Sequence, residues 1–214
     1  MKILWLFIIA GLNGFGQTVD NTKTSSGTYE GIAGNPYFNK DWADGIIRFS
    51  SGKVTDKFKL KFNVAQNRLL LQFNGSTFGA ESKIDEFVMY TKNKKDSVVF
   101  KKGFPDTDRG NAETFYQVLE NGPATLVKLT AKDIIEEKEI LESKKSRRYE
   151  DVEAYYLLKE GVMHKLDREN APIADILSDH RDELRTFISD QQLKMRTTED
   201  YTKVVKKYND LRNH

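Results

Sequence analysis

Six consecutive residues, Lys57-Phe58-Lys59-Leu60-Lys61-Phe62, alternate strictly between a cation and a large apolar side chain. A period of two is the period of a strand, so Phe58, Leu60 and Phe62 share one face and the three lysines share the other. Such a segment needs a sheet with one dry face and one wet face, the habit of antiparallel sheets. Neighbouring segments suit the same sheet. Residues 45–49 run into the turn dipeptide Ser51-Gly52 and then Lys53-Val54. Gln66-Asn67 turns the chain into Leu69-Leu70-Leu71-Gln72-Phe73, which ends at Asn74-Gly75. Residues 84–90 and 97–100 face each other across the charged turn 92–96. Residues 115–119 and 125–129 do so across Asn121-Gly122-Pro123, and residues 155–158 and 162–166 across Glu160-Gly161. The spacings are unequal, so the pattern predicts an antiparallel β-hairpin meander, a curved sheet without an exact repeat.

The period changes near the C-terminus. Ile173, Ile176, Leu177, Leu184, Phe187 and Ile188 recur at helical spacing, and Pro172 stands where a helix start tolerates it. Thr197 or Thr198 is placed to cap a last helix, with Glu199 and Asp200 in its first turn and Tyr201, Val204, Val205, Tyr208 and Leu211 on one stripe. Strands followed by a helical subdomain is the α+β class. Residues 132–150 are charged throughout and fit either an extended hairpin or a short helix. The chain divides into a leader (1–16), a flexible N-terminal arm (17–33), an antiparallel β-rich domain (34–170) and C-terminal helices packed on the sheet (171–214).

The leader has three parts: Met1-Lys2, an apolar run from Ile3 to Leu12, and small residues before a cut between Gly16 and Gln17. This is the pattern of a cleaved export signal, about half as long as the ~20 apolar residues a membrane-spanning helix needs. It places the protein in the periplasm or outside the cell. There is no cysteine, which removes disulfides, thiolate metal sites and cysteine nucleophiles and leaves stability to packing. Thirteen Phe, nine Tyr and two Trp are enough to build that packing, although 31% of residues are charged. Bases number 34 against 32 acids, so the balance does not suit a strongly basic nucleic-acid binder.

The segment Gly34-Asn35-Pro36-Tyr37-Phe38, with Trp42 and Gly45 after it, precedes Gly52-Lys53, Lys59-Leu60-Lys61-Phe62-Asn63 and Asn67. Further on come Tyr155-Tyr156-Leu157 and the closing pair Tyr208-Asn209. With this spacing the chain resembles a group of uncharacterised secreted proteins common in Bacteroidetes-type bacteria. The resemblance implies an envelope or extracellular setting and the same α+β layout, and it supplies no activity and no functional residues. In the same setting Asp96-Ser97-Val98 resembles an O-glycosylation acceptor.

Motifs for catalysis are weak. His164, His180 and His214 lack the spacing of a helical zinc site. Ser178-Asp179-His180 has the three residue types of a triad, yet neighbours on one helix do not face each other, and Ser178 or Asp179 is better read as a helix cap. Asp106-Thr107-Asp108-Arg109-Gly110 falls short of a calcium loop, with Arg109 where a third ligand is needed and Gln117 at the twelfth position. The basic run 144–148 follows Glu136, Glu137, Glu139 and Glu142 and reads as a solvated segment of mixed charge. No phosphate-cradling glycine loop is present, so no cofactor is expected.

The cluster that points to a ligand is Asn35, Tyr37, Phe38, Asn39, Asp41, Trp42 and Asp44. Aromatic faces stack on the apolar faces of sugars, while amides and carboxylates bond hydroxyls. The candidate ligand-binding residues are Asn35, Tyr37, Phe38, Asp41 and Trp42. In the competing reading the aromatics plug one end of the sheet and Asp44-Gly45 is a turn. The expectation is an exported, non-catalytic cell-envelope protein that binds an envelope protein or glycan. Alternatives are a carrier with a cavity on the Phe58, Leu60 and Phe62 face, open unless Tyr201, Val204 and Tyr208 seal it, and an enzyme on envelope polysaccharide using a carboxylate pair.

Overall fold

A computed structural model describes residues 31–79, 83–138, 145–167 and 172–213. The leader and most of the arm lie outside these residues, as does His214. Twelve strands form one mixed sheet, followed by a small helical part. The strands are β1 (Ile32–Ala33), β2 (Ala43–Phe49), β3 (Val54–Thr55), β4 (Lys59–Asn63), β5 (Arg68–Phe73) and β6 (Ser76–Gly79). After them come β7 (Ile84–Tyr90), β8 (Ser97–Lys101), β9 (Tyr116–Glu120), β10 (Ala124–Lys138), β11 (Lys145–Lys159) and β12 (Val162–Leu166). The main path runs β1-β11-β10-β9-β8-β7-β2-β4-β5-β6, with β12 on β11 and β3 on β2. Only the β1–β11 pairing is parallel among the described strands; it joins Ile32 and Ala33, the end of the expected arm, to Arg147 and Arg148.

Strand β2 joins two halves of the sheet. Ala43 and Asp44 pair with Leu60 and Lys59 of β4, whereas Gly45 onward pairs with β7. Asp44-Gly45 is therefore strand interior and not the turn of the competing sequence reading. The reason is steric: a Cβ on Gly45 would lie 2.1 Å from the Val88 carbonyl oxygen and 2.5 Å from Leu60 Cδ1, so β2 can pass only where that atom is missing. Beyond this crossing β4 and β5 lay their apolar residues over β2, β7 and β8. Leu60, Phe62, Leu69 and Leu71 meet Ile47, Phe87, Met89 and Phe100 in one core. Rings fill it: Phe62 lies 5.2 Å from Phe87, 4.9 Å from Phe100 and 6.0 Å from Phe115, centroid to centroid. The alternation of β4 survives, with Leu60 and Phe62 buried and Phe58 half-buried against the same core.

The sequence pattern stopped at Asn74-Gly75, but the chain reverses there into β6. Asn74 and Gly75 both take positive φ, 48° and 80°, as a two-residue hairpin turn requires. Residues 132–138 and 145–150 take the extended-hairpin option. Their charges interlock across the ribbon: Lys132–Asp151 at 2.6 Å, Arg148–Glu137 at 2.8 Å and Arg147–Glu136 at 3.4 Å.

The helices are α1 (Ile173–Ile176), α2 (Arg181–Asp190) and α3 (Thr198–Arg212), with a 3₁₀ turn over Ser178–His180 between the first two. Thr197 caps α3, its side chain accepting from the Asp200 amide at 3.1 Å. Neither Ser178 nor Asp179 caps α2, because Asp179 is already bound to Lys159 at 2.7 Å and to the Tyr208 hydroxyl at 2.9 Å. Tyr201, Val204, Val205 and Tyr208 cover Ala124 and Leu126 of β10 and Leu157 of β11, so the helices seal a different face from the one that carries Phe62. Asn209 finishes this contact: its side chain accepts from the Ala124 amide and donates to the Ala124 carbonyl, both at 2.9 Å, as a neighbouring strand would. On the opposite face of β10 and β11, Val127, Leu129 and Tyr156 pack with Phe104 and Tyr116.

Replacing Gly45 by alanine should cost at least about 2 kcal/mol in urea unfolding, the scale of overpacking against atoms that cannot yield. Gly52→Val, at an open turn position, is an unsuitable comparison because of its positive φ of 81°; Ser51→Ala at the same turn is suitable and should change stability by less than about 0.5 kcal/mol. Equal effects at Gly45 and Ser51 would contradict the crossing described above.

Candidate functional site

The aromatic cluster is built by residues 36–42, which lead from β1 into β2 along the end of β4. Phe38 donates its amide to the Phe62 carbonyl at 2.8 Å, and Pro36 accepts from the Val64 amide at 2.9 Å. These bonds pull the segment onto the core. Tyr37 is buried, with 4% of its surface exposed, and Asn35 spends its side-chain oxygen on the Tyr37 amide at 3.1 Å. Phe38 sets its ring edge-on to Phe100, 5.0 Å between centroids. So Asn35 and Tyr37 build the support, while Phe38, Asp41 and Trp42 reach an open cleft.

That cleft has a volume of about 560 Å³. One wall is residues 38–44; the other is the end of β7 with the turn after it, including Met89, Tyr90, Thr91 and Lys92. Lys59 of β4 and Val98 of β8 complete it. Trp42 is half-buried and Asp41 exposed, so an apolar ring and polar groups face the same space. Pockets of roughly 300–1,000 Å³ are the usual size for small ligands.

The carboxylates in the cleft are held as anions. Hydrogen bonding and attraction to Lys92, 2.8 Å away, lower the pKa of Asp41. Asp44 is lowered by hydrogen bonds from Lys59 at 2.5 Å and Lys94 at 3.3 Å. Lys92 is raised in turn by Asp41. Lys61, on the same face of β4 as Lys59, behaves differently. Its ammonium lies 4.4 Å from the Tyr37 ring centroid and 5.8 Å from that of Trp42, and burial pushes its pKa down against the pull of Asp41.

Sequence reasoning missed the strand residues of this site. The lysines of β4 were visible only as a wet face, and Lys92 and Lys94 only as a charged turn. What brings them to Trp42 is the change of partner in β2, which no local pattern announces.

The other constellations are structural. Asp108 binds the Tyr156 hydroxyl at 2.7 Å and Lys165 at 2.5 Å, and Arg109 forks onto Asp133 at 2.7 and 2.8 Å, so residues 106–110 clamp a loop to the sheet. His180 lies beside Glu183 and the Tyr208 ring. Among the described residues no group of His, Asp and Glu is arranged to hold a metal ion, and no helix is long and apolar enough to cross a membrane. No protein-family model, curated protein or solved structure matches this chain.

A proton donor for glycoside cleavage needs a raised carboxyl pKa, and both cleft aspartates are shifted the other way. In a carbon-detected NMR titration Asp41 and Asp44 should both titrate below about 3.9, the ordinary aspartate value. Lys92→Met should return Asp41 toward that value and leave Asp44 low. A midpoint above the ordinary value for either residue would contradict this charge state and fit a proton donor instead.

Proposed function

We propose that this protein is an exported, non-catalytic component of the cell envelope that binds a saccharide in the Trp42 cleft. The observation that carries the reading is the cleft itself, which sets Phe38, Trp42 and Tyr90 beside Asn39, Asp41, Asp44 and Thr91. Sugars present apolar faces ringed by hydroxyls, and this surface offers half-buried rings ringed by hydrogen-bonding groups. Export rests on the leader, residues 1–16, and the envelope setting on that leader together with the resemblance to secreted bacterial proteins.

A continuous, curved hairpin meander belongs to the same proposal. The consecutive antiparallel pairing from β7 through β12 supports it, as does the second run β4-β5-β6 folded over the first. The carrier alternative has less to stand on. Its apolar face is occupied by the stacked and edge-on rings of Phe62, Phe87, Phe100 and Phe115.

The test is retention of the protein on immobilised bacterial polysaccharides. Trp42→Ala should weaken retention at least about tenfold, the factor that about 1.4 kcal/mol represents. Because Trp42 is half-buried at the surface, its thermal midpoint should fall by no more than a few degrees. Unchanged retention by the folded variant would contradict the proposal.

A further inference from the structure

The charge around the cleft is unequal. Lys40, Lys59 and Lys92 line it, Lys94 reaches in to Asp44, and Lys61 stands over Trp42. Against the three lysines that line it stand two carboxylates, Asp41 and Asp44, an excess of one positive charge before Lys61 and Lys94 beside it are added. The carboxylates are already engaged, Asp41 by Lys92 and Asp44 by Lys59 and Lys94. Among the described residues Lys40 and Lys61 have no carboxylate within salt-bridge distance.

Lys61 is the more constrained of the two. Its ammonium is held by two ring faces, Tyr37 at 4.4 Å and Trp42 at 5.8 Å, an arrangement that attracts a cation without neutralising it. We infer that the cleft selects acidic saccharides, whose anionic substituent pairs with Lys61 while the sugar ring lies on Trp42. This rests on the saccharide reading above and adds the chemical class of the ligand. A ring stacked on Trp42 brings an exocyclic acid group toward the neighbouring ammonium, and the resulting hydrogen bonds are charge-assisted and so stronger than those to a neutral hydroxyl. Burial already disfavours the charge on Lys61, and an anion from the ligand would relieve that cost. Lys59, two residues earlier on the same face, is unsuited to the role because Asp44 holds it.

The experiment is titration calorimetry of the full chain with a panel of oligohexuronates and the methyl esters of the same oligomers, which share shape and differ in charge. The acids should bind at least about tenfold more tightly than the esters, with the difference shrinking as salt is raised. A sulfated oligogalactan and its unsulfated form are a second pair, separating a sulfate ester from a carboxylate as the source of charge; preference for the charged member of either pair supports the inference. Lys61→Met should abolish the preference, Lys61→Arg should keep it, and Lys53→Met should change nothing. Equal binding of charged and neutral members would overturn the acidic selectivity while the saccharide reading stands. A preference that survives Lys61→Met would overturn the role of Lys61. Binding of no saccharide at all would overturn both the inference and the reading beneath it.

Discussion

Strand β2 can serve two halves of the sheet because one of its residues has no side chain. At Gly45 the backbone passes so near the Val88 carbonyl and the Leu60 methyl that any Cβ would overlap both. On one side of that point Ala43 and Asp44 belong to β4; on the other, Gly45 to Phe49 belong to β7. The strands that follow are thereby folded over the sheet they left, and their apolar faces enclose the phenylalanine core. The same crossing leaves a gap at its outer end, between residues 38–44 and the end of β7. That gap is the Trp42 cleft, so the site follows directly from the packing constraint.

The helical contact and the proposed binding cleft lie in different parts of the molecule. The helices cover β10 and β11 through Tyr201, Val204 and Tyr208, and Asn209 closes the contact by giving Ala124 the two hydrogen bonds of a missing strand. Lys159, Asp179 and Tyr208 tie the same region together in a polar network, in which hydrogen bonds from Lys159 and Tyr208 overcome the burial that would raise Asp179 and hold its pKa low. None of these residues lines the cleft. The cleft in turn rests on the buried Tyr37 and on Phe38, a lining residue whose ring packs edge-on to Phe100 of the phenylalanine core.

Local signals carried much of this into the sequence. The alternation of residues 57–62, the turn pairs Asn74-Gly75 and Glu160-Gly161, and the cap at Thr197 each act over a few residues and reappear in the structure. Features that depend on distant partners did not show. Residues 132–150 read as either helix or strand because their charges pair only when Lys132 finds Asp151 and Arg148 finds Glu137. Gly45 reads as a turn beside Asp44 until Val88 is placed against it. The site follows the same rule: Phe38, Asp41 and Trp42 are close in sequence and were visible together, whereas Lys59, Lys61 and Tyr90 reach them through strand pairing. Asn35 spends its side-chain oxygen on the Tyr37 amide, and Tyr37 is buried with Lys61 over its ring.

The proposed function stands or falls on whether the surface around Trp42 is where this protein meets its ligand. Nitrogen–proton NMR spectra of the labelled protein, recorded as a mixture of acidic and neutral oligosaccharides is added, test it most directly. The Trp42 indole signal and the amides of residues 38–44 and 89–92 should shift together and saturate, while those of α2, α3 and the β10–β11 ribbon stay in place. Shifts confined to the helices or the ribbon, or a spectrum that does not change, would contradict it.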